Sequence, residues 1–429
     1  MRFALVNPNW SFAGSVYFGC REPHLPLEYG YAKALLEREG HEAALIDGQL
    51  CGLSRADIAA QVKGYRPDVT VLTTAPSYLF WRCPPPELRV PQETAADVRA
   101  HAGALLAVGP HASSTPRATL RKLQADAVLL GEFEEVLPRL ARMPRERWRE
   151  VPSVFDGLSD EPRVPHVADM GELPPLRWPD ALVAAHRHHH HRFDEPASGP
   201  GAEIEGSRGC PYGCSFCAKD NFRNRYRKRP LPAVLDELDA LIAQGVGYVY
   251  FIDEIFMPDT PLLDALMQRP IKYGVQSRID LWSPEMLDLL GGSGCVSVEA
   301  GVESVSERGR NALSRRCSLS TEEIAERLIR AKRSVTFVQA NLIDATGEDP
   351  RQVEEWRLRL LENGVWANKP VPMFPFPGSP AYAEKWGTPD DLAWERAHDY
   401  YLNAYRELSD IQEQQPLPMG VLECRELTA

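Results

Sequence analysis

The first part of the chain alternates short apolar runs with segments whose apolar residues recur at helical spacing. The runs RFALVNP, HEAALID, DVTVLTT, ALLAV and AVLL have the length and composition of buried strands. Helices are predicted over YGYAKALLEREG, which ends at Gly40, over ETAADVRAHAG and over TPRATLRKLQ. Five apolar strands that alternate with helices predict a doubly wound, Rossmann-like parallel sheet over residues 1–145.

A second alternating series begins near residue 201. Its predicted strands are AEIEGS, YVYFID, YGVQS, VSVEA, VTFVQANLI and KPVPMF. The helix LPAVLDELDALIAQG carries an apolar face, and STEE at 320–323 begins another helix as a capping box. Six strand–helix units over residues 201–380 predict a partial (βα)6 barrel of the TIM type. Functional side chains are then expected at the carboxyl ends of its strands.

The remaining segments lack this alternation. Residues 146–200 are rich in proline, arginine and histidine, and they are predicted to form a linker or strap between the two domains. Residues 381–429 are predicted to be helical and to end in a proline-containing tail. The predicted fold class is therefore α/β, with a Rossmann-like domain, a partial barrel and a helical C-terminal segment.

Composition and charge exclude few classes of function, but they limit the kinds of partner that the protein is expected to bind. The 429 residues carry a net charge of −12, which argues weakly against a nucleic-acid partner. The basic cluster RNRYRKRP at 223–230 suits an anionic cofactor or a small acidic substrate equally well. The chain has no apolar run of membrane-span length, and MRFALVNPNW does not resemble a signal peptide. These features predict a cytoplasmic protein.

Six of the nine cysteines are scattered without paired spacing, which is typical of reduced thiols and not of a disulfide framework. The other three, Cys210, Cys214 and Cys217, lie in SRGCPYGCSFCAKD, directly after the first barrel strand. Thiolates bind zinc and iron–sulfur clusters, but a zinc ribbon needs a second CxxC pair that the chain lacks. Three cysteines on a 4Fe–4S cluster leave one iron open to a substrate or cofactor.

The spacing CxxxCxxC, with the aromatic Phe216 before the last cysteine, resembles the signature of the radical S-adenosylmethionine (SAM) superfamily. The resemblance implies that SAM chelates the open iron and that an external electron donor, such as flavodoxin or ferredoxin, reduces the cluster. Cleavage of SAM then yields methionine and a 5′-deoxyadenosyl radical. The barrel positions SAM and excludes water and oxygen.

Further barrel segments resemble the SAM-contacting segments of that superfamily. YFIDEIF resembles the second-strand segment with an acidic end, VQSRIDL a strand with polar SAM contacts, and VSVEAGVES a glycine-containing strand followed by a glutamate. FPFPGSP at 374–380 resembles the closing segment of subfamilies fused to a cobalamin domain. An aspartate here can also cap a helix, and an arginine can serve a structural ion pair. The implied SAM-binding residues are Phe216, Asp253, Glu254, Gln276, Ser277, Arg278 and Glu303.

The N-terminal domain resembles the cobalamin-binding domain of cobalamin-dependent radical SAM enzymes, through VGPHASSTP (108–116) and DAVLLGEFEE (126–135). Small residues in such loops let the backbone approach a corrin at the strand ends. DGQLCG at 47–52 resembles a cobalt-binding motif with glutamine in place of histidine, but that motif follows the first strand in cobalamin domains, and here it follows the second. The loop after the first strand, NPNWSFAG, contains no histidine, so no axial histidine is expected from this domain. The aromatic loop 74–87 lies either against the lower corrin face or against the linker. The implied cobalamin-binding residues are Ser77, Tyr78, Trp81, Gly109, His111, Ser113, Gly131 and Glu132.

The run HRHHHHRF at 186–193 has three interpretations. It is a solvated linker segment, a metal site, or a cover over the substrate pocket that supplies general bases or donors. A metal site is disfavoured, because consecutive residues rarely converge on one ion and the arginines repel it.

Together, the resemblances imply a cobalamin-dependent radical SAM enzyme that methylates an unactivated carbon of a small-molecule or natural-product substrate. One alternative keeps both cofactors but catalyses a non-methylating rearrangement, cyclisation or ring contraction. An RNA-modifying methylthiotransferase is disfavoured, because the tail is not basic and Cys20, Cys51 and Cys83 are placed wrongly for a second cluster. A non-catalytic cobalamin sensor has no need of a complete cluster loop.

Overall fold

The computed structural model describes residues 1–10, 23–77, 85–86, 88–158, 163–186, 199–218, 223–314, 316–344 and 347–404. Its N-terminal sheet has six strands in the order β2-β1-β3-β4-β5-β6, of which the first five run parallel. The predicted doubly wound parallel sheet is therefore confirmed. The strands are β1 Arg2–Asn7, β2 Glu42–Asp47, β3 Val69–Thr73, β4 Ala104–Val108, β5 Ala127–Leu129 and β6 Val154–Phe155.

Helices cover both faces of this sheet and bury a separate apolar core on each face. The strands are buried on both sides, which explains why they read as continuous apolar runs. The helix predicted to end at Gly40 does so, with Gly40 in the left-handed region at φ 78°. The helices are α1 Leu27–Arg38, α2 Arg55–Tyr65, α3 Arg89–Val98, α4 Pro110–Ser114, α5 Pro116–Leu123 and α6 Val136–Ala141.

The predicted linker contains structure that its composition did not indicate. Its strand β6 pairs antiparallel with β5 and so extends the first sheet. Residues 163–186, called the strap here, then run between the two domains and end in helix α7, Asp180–Ala185. Trp178 of the strap lies against Gly30 of α1, so closely that a Cβ there would be 2.8 Å from the indole ring. The strap is thus packed against the N-terminal domain.

The second domain begins with strand β7, Gly201–Ile204, which is followed by a hairpin of β8, Ser207–Arg208, and β9, Arg227–Lys228. The three clustered cysteines lie in the loop between β8 and β9. This segment, residues 209–226, is called the cysteine loop here. The hairpin places both ends of the loop side by side at the carboxyl end of β7.

The rest of the domain is the predicted partial barrel, with strands in the order β14-β13-β12-β11-β10-β7, all parallel. The predicted sixth strand, KPVPMF, is replaced by two short strands that both pair with β13. Prolines 370, 372 and 375 cannot donate ladder hydrogen bonds, so a longer strand is not sustained there. The strands are β10 Tyr248–Phe251, β11 Lys272–Ser277, β12 Cys295–Glu303, β13 Phe337–Asp344, β14 Trp366–Ala367 and β15 Val371–Pro372.

Barrel helices pack on the outer faces of these strands around the largest apolar core, which also includes residues of α1 and the strap. Side-chain caps begin five of them, and the capping box predicted at Ser320 and Glu323 is present. The helices are α8 Leu231–Ala243, α9 Thr260–Met267, α10 Pro284–Gly292, α11 Glu307–Ala312, α12 Thr321–Lys332 and α13 Pro350–Glu362.

Two C-terminal helices, α14 Pro380–Trp386 and α15 Ala393–Ala404, follow the segment FPFPGSP and return to the N-terminal domain. Trp394 of α15 donates a hydrogen bond from Nε1 to Thr115 Oγ1 at 3.2 Å. Lys122 pairs with Glu395, and Arg121 pairs with Asp391 at 2.9 Å. The predicted helical C-terminal segment is therefore docked on α4 and α5, and residues 405–429 lie outside the described residues.

A buried group of opposite charges joins the two domains. It consists of seven residues and is called the interdomain ion cluster here. Glu132 and Glu134 follow β5, and the barrel domain supplies the others. Arg208 contacts Glu134 at 2.8 Å, and Arg227 makes two contacts with Glu132 at 2.7 and 2.9 Å. The seven members are Glu132, Glu134, Glu205, Arg208, Arg223, Arg227 and Glu254.

Glu132 has three arginine neighbours and is 1% exposed. Burial acts to raise its pKa, but Arg208, Arg223 and Arg227 outweigh burial and lower the pKa to about 2. The carboxylate is therefore charged at neutral pH and balances cations that belong to the other domain.

We expect Glu132→Gln to destabilise the protein by about 3 kcal/mol, because it leaves buried guanidinium groups without their counter-charge. Differential scanning calorimetry should show a lower melting temperature. Amide hydrogen exchange should increase in residues 163–168 and 207–209, which contact this site. The matched control is Glu150→Gln at the exposed Arg147–Glu150 pair, which should cost about 1 kcal/mol or less.

Acid unfolding gives an independent check. The Glu132 ion pairs stabilise the fold fully above about pH 4.5, the ordinary glutamate value, and lose that contribution as the pH falls toward 2. The loss of stability over this interval should be smaller in Glu132→Gln than in the wild type. Equal acid sensitivity of the two proteins would contradict the assignment.

Candidate functional site

The cysteine loop brings three thiols to the carboxyl-end rim of the barrel. Cys214 is buried, whereas Cys210 and Cys217 are half-buried. The Cys217 amide donates to the Cys214 carbonyl at 3.2 Å, and the Cys210 amide donates to the Arg223 carbonyl at 3.0 Å. The backbone of the loop is therefore held at both of its ends.

The spacing of the thiols bears on the metal they could hold. A single zinc ion holds sulfur ligands at about 2.3 Å, so three thiolates on one ion lie within about 4 Å of one another. Within the described part of the chain, Cys210, Cys214 and Cys217 are not among the groups whose ligand atoms all lie within 4.8 Å. Wider separation suits a 4Fe–4S cluster, in which each cysteine binds a different iron. The residues present fit such a cluster.

Glycine is required immediately before the first cysteine. Gly209 has φ 82°, and a Cβ there would be 2.1 Å from the Arg225 carbonyl oxygen. Its amide donates to Glu254 Oε2 at 2.7 Å, and Glu254 Oε1 lies 2.7 Å from Arg223 Nη1. Glu254, predicted to contact SAM, is thus placed at the base of the cysteine loop.

Asp253, the other predicted acidic residue, also supports the hairpin. Its Oδ1 accepts from the Gly206 amide at 2.8 Å, and its Oδ2 accepts from the Ser207 hydroxyl. Burial raises its pKa to about 7, against the effect of these hydrogen bonds. It lines a cavity of about 230 Å³, together with Tyr226 and the first turns of α8 and α9. Its role as a SAM contact stays a prediction.

The side chains of β11 alternate between the barrel interior and the outer helix layer. Tyr273 and Val275 belong to the outer core. Ser277 lies on that side, because its hydroxyl donates to the Phe256 carbonyl at 2.6 Å and accepts from Trp282 Nε1 at 2.8 Å. The structure therefore does not bring Ser277 to the interior rim.

Gln276 and Arg278 take the opposite, interior side. Arg278 lies 4.1 Å above the ring of Tyr212, a residue of the cysteine loop. It also pairs with Asp280 at 2.6 Å, and Nη1 has no hydrogen-bond partner among the described residues. Burial acts to lower its pKa, but Asp280, Cys214 and Tyr212 raise it overall. Arg278 therefore offers a buried, charged donor beside the cysteine loop.

Glu303 ends β12 in a strained backbone conformation. Its φ is 70°, which a non-glycine residue rarely adopts, and the register of β12 against β13 shifts between Gly301 and Glu303. Such bulges redirect a side chain at a strand end, and strain of this kind concentrates at functional sites. Phe216 is half-buried in the cysteine loop.

The predicted cobalamin loops meet at the carboxyl ends of β4 and β5. Ser113 joins them, since its hydroxyl donates to the Gly109 carbonyl and accepts from the Gly131 amide, each at 2.9 Å. Gly131 has φ 83°, and a Cβ there would be 2.3 Å from the His166 carbonyl oxygen. The small residue predicted to admit a corrin is thus required by the close approach of the strap.

His111 and Glu132 also contact other parts of the protein. The His111 ring stacks on Trp394 of α15, with centroids 4.2 Å apart. Burial lowers its pKa to about 3, and Lys122 adds to this effect, so the imidazole is neutral. Glu132 is held by the arginines of the interdomain ion cluster. Cobalamin contacts of these two residues stay predictions.

The structure describes residues 74–77, 85–86 and 88 of the loop after β3. Ser77 is buried, and its hydroxyl donates to Glu28 Oε2 at 2.6 Å and accepts from the Leu27 amide at 3.2 Å. Burial raises the pKa of Glu28 to about 7. Tyr78 and Trp81 lie outside the described residues, as does most of the histidine run, of which only His186 is described.

Sequence reasoning missed several residues that shape this site. Tyr212 occupies an unconstrained position between two cysteines, and Arg208 precedes the motif. The buried Glu205 and Glu134 lie in apolar or mixed segments. The basic cluster at 223–230 is the sequence feature that could have indicated the buried glutamates, because an arginine-rich segment beside buried strands needs acidic residues as counter-charges. Its Arg223 and Arg227 neutralise glutamates of the protein itself.

Comparisons with known proteins agree with this geometry. Residues 204–358 match the Radical SAM superfamily. An uncharacterized methyltransferase of Pyrococcus horikoshii is 26% identical over 330 residues, which is 72% of this chain and 66% of that protein. The anaerobic magnesium-protoporphyrin IX monomethyl ester cyclase of Cereibacter sphaeroides is 24% identical over 390 residues, or 84% and 59%. The chain thus spans about three fifths to two thirds of the length of these relatives.

A solved structure shows the same two-domain fold. It is the radical S-adenosylmethionine methyltransferase TsrM of Kitasatospora setae, with cobalamin and a [4Fe-4S] cluster bound. The TM-score is 0.67 at 20% identity, and the alignment covers 90% of this chain and 78% of TsrM. In the chain described here, the matched family segment begins in β7 and contains all three thiols of the cysteine loop. Residues 204–358 of the chain are a radical SAM domain.

Proposed function

We propose that this protein is a cobalamin-dependent radical SAM methylase acting on an unactivated carbon of a small-molecule or natural-product substrate. Cys210, Cys214 and Cys217 hold the 4Fe–4S cluster, and the carboxyl ends of β3, β4 and β5 hold cobalamin. SAM bound to the cluster supplies a radical that removes a hydrogen atom from the substrate carbon, and cobalamin supplies the methyl group. The substrate binds between the two cofactors.

The observation that carries this proposal is the meeting of both predicted cofactor loops at Gly378. A Cβ at Gly378 would lie 3.9 Å from Ser114 Cβ and 4.0 Å from the Ala218 carbonyl oxygen. Ser114 is the last residue of α4, in the GPHASS segment predicted to bind cobalamin, and Ala218 directly follows Cys217. Methyl transfer between two cofactors requires a shared cavity, and these two loops are neighbours.

The cysteine loop is also held by backbone hydrogen bonds to the barrel and to the C-terminal helices. The Ser215 amide donates to the Leu313 carbonyl at 3.1 Å, and the Ala381 amide donates to the Ser215 carbonyl at 2.8 Å. Ala381 lies in α14, which follows the FPFPGSP segment. The C-terminal helices therefore support the loop from one side, and the interdomain ion cluster supports it from the other.

Arg278 is assigned to the SAM carboxylate. A guanidinium group is suited to carboxylates, and Arg278 keeps one nitrogen without a hydrogen-bond partner among the described residues. Tyr212 restricts the guanidinium plane from one side. Gln276 and Glu303 are the further interior groups that we assign to SAM binding, whereas Ser277 is directed away.

A second candidate keeps both cofactors but closes a ring without methylation. It is favoured by the similarity to the cyclase of Cereibacter sphaeroides over 84% of this chain. The two reactions differ in one product, because only methylation consumes a methyl group from SAM and releases S-adenosylhomocysteine.

The electron donor is proposed to be a flavodoxin or ferredoxin. The scattered, unpaired spacing of the cysteines supports a reducing, cytoplasmic location. Within the described residues, no helix combines the length and the apolarity that a membrane crossing requires.

Single-turnover methylation of cobalamin tests the proposal without a known substrate. Anaerobically reconstituted protein, loaded with cobalamin, reduced and mixed with SAM, should form methylcobalamin and an equal amount of S-adenosylhomocysteine. Methylcobalamin formation distinguishes the methylase from the cyclase-type enzyme. Protein that holds the cluster but binds no cobalamin would contradict the proposal.

Loss of a loop thiol should abolish the cluster. Cys214→Ala should contain little iron and sulfide after reconstitution and should lose the visible absorbance of the cluster, because one of three ligands is gone. Cys317→Ala is the matched control, since Cys317 is also buried but lies outside the cysteine loop. A cluster of wild-type content in Cys214→Ala would overturn the ligand assignment.

Arg278→Gln should weaken SAM binding about tenfold to a hundredfold, the value of a charge-assisted hydrogen bond of about 1.5 to 3 kcal/mol. Equilibrium dialysis measures the affinity, and electron paramagnetic resonance of the reduced cluster reports SAM binding at the iron. Iron content should equal that of the wild type. The exposed Arg330→Gln serves as the control, and unchanged SAM affinity in Arg278→Gln would refute the assignment.

A further inference from the structure

Three buried side chains from distant parts of the chain converge away from the cysteine loop. His24 precedes α1, His186 follows α7 at the end of the strap, and Glu203 lies in β7. They are 3%, 0% and 2% exposed, respectively. One ligand atom from each lies within 4.8 Å of the other two, and within the described ranges no other three histidine, cysteine or acidic residues do so.

Both imidazoles point a nitrogen at the same carboxylate. His24 Nδ1 is 2.8 Å from Glu203 Oε1, and His186 Nε2 is 3.0 Å from Oε1 and 2.9 Å from Oε2. The Leu25 amide donates to Glu203 Oε2 at 2.9 Å and so fixes the carboxylate plane. Backbone donors of this kind orient ligating carboxylates in metal sites.

The donor set is two imidazoles and one carboxylate, which suits divalent transition ions of borderline softness, such as Zn²⁺. Ligand atoms around such an ion, at about 2.0 to 2.2 Å each, lie about 3.3 Å apart, so the observed separations need only a small expansion. Three protein ligands leave room for a fourth.

The local charge also fits a dication. Two neutral imidazoles, one carboxylate and a divalent ion carry one excess positive charge. Asp47, at the end of β2, is 3% exposed and interacts electrostatically with His186. Its Oδ1 is bonded to Asn7 and the Leu50 amide, whereas Oδ2 has no hydrogen-bond partner among the described residues. Asp47 therefore provides the second negative charge nearby.

We propose that His24, His186 and Glu203 form a binding site for a divalent transition-metal ion, with Zn²⁺ as the matching ion, separate from the iron–sulfur cluster. The ion ties the N-terminal domain, the strap and the first barrel strand together at one point. His186, the first residue of the histidine run, is the member of the run that binds the ion in this site, because it lies beside ligands from two other elements.

Zinc binding to the full, cluster-loaded chain tests this proposal. Loading with the cluster occupies the thiols of the cysteine loop. After removal of loosely bound metal with a chelator, the wild type should retain one equivalent of zinc by elemental analysis and melt at a higher temperature with zinc than without. His186→Ala and Glu203→Gln should bind zinc at least tenfold more weakly and should lose the thermal shift.

Two controls separate this site from other ligands. The variant with alanine at His188, His189, His190 and His191 should bind zinc as the wild type does, and so should His101→Ala, which removes an exposed histidine. X-ray absorption of the cobalt-substituted wild type should show nitrogen and oxygen neighbours without sulfur, and it needs no variant. A sulfur shell, loss of zinc only in the four-alanine variant, or no zinc retained by the wild type would each overturn the proposal.

Discussion

The buried pairing of Glu132 and Glu134 with Arg208, Arg223 and Arg227 is the constraint on which the arrangement of the two domains depends. Charges of this kind are costly to remove from water and are tolerated only when each has its partner. The partners of Glu132 and Glu134 are arginines of the barrel domain, so the N-terminal domain cannot bury these two carboxylates alone. The fold is therefore specified at this point by charge complementarity as well as by apolar packing.

The same ion pairs also position the cysteine loop, because two of their arginines lie in the strands that flank it. Arg208 is in β8 and Arg227 is in β9, the two strands that hold the ends of the cysteine loop. Glu132 and Glu134 follow the strand whose end carries one of the predicted cobalamin loops. Four carboxylates face three arginines, and burial raises the pKa of Glu134 despite the attraction of Arg208. The position of the thiols relative to the N-terminal domain is thus set by a few rigid contacts.

The periodic parts of the fold could be predicted from the sequence, because buried parallel strands and amphipathic helices have distinct patterns. Strand β6 and helix α7 could not, because a two-residue strand and a six-residue helix are too short to repeat an apolar pattern. The spacing of Cys210, Cys214 and Cys217 was sufficient to predict them as cluster ligands, and that role stays a prediction. The orientation of Ser277 was not, since a one-residue difference in strand phase decides which layer a side chain faces. Contacts such as Arg278 on Tyr212 depend on tertiary packing.

Sequence reasoning assigned Gly131 and Glu132 to a ligand, and the structure shows that both also contact the protein. The assignment was natural because small and acidic residues at strand ends commonly contact ligands. The physical reason it was incomplete is that the strap passes over the same strand end, so the His166 backbone takes the space beside Gly131. A linker of irregular composition gave no indication of that path.

The strap and the ion cluster have a consequence for the order in which the chain assembles. Domains generally fold from the N-terminus during synthesis, so the first sheet can form while the barrel is still incomplete. Until residues 208–227 have been synthesised, Glu132 and Glu134 lack their arginine partners and must remain hydrated. Likewise, Gly30 of α1 has no contact with Trp178 until the strap has been made. The newly folded N-terminal domain therefore exposes a negatively charged edge at Glu132 and Glu134. This edge becomes buried only after the cysteine loop has been synthesised.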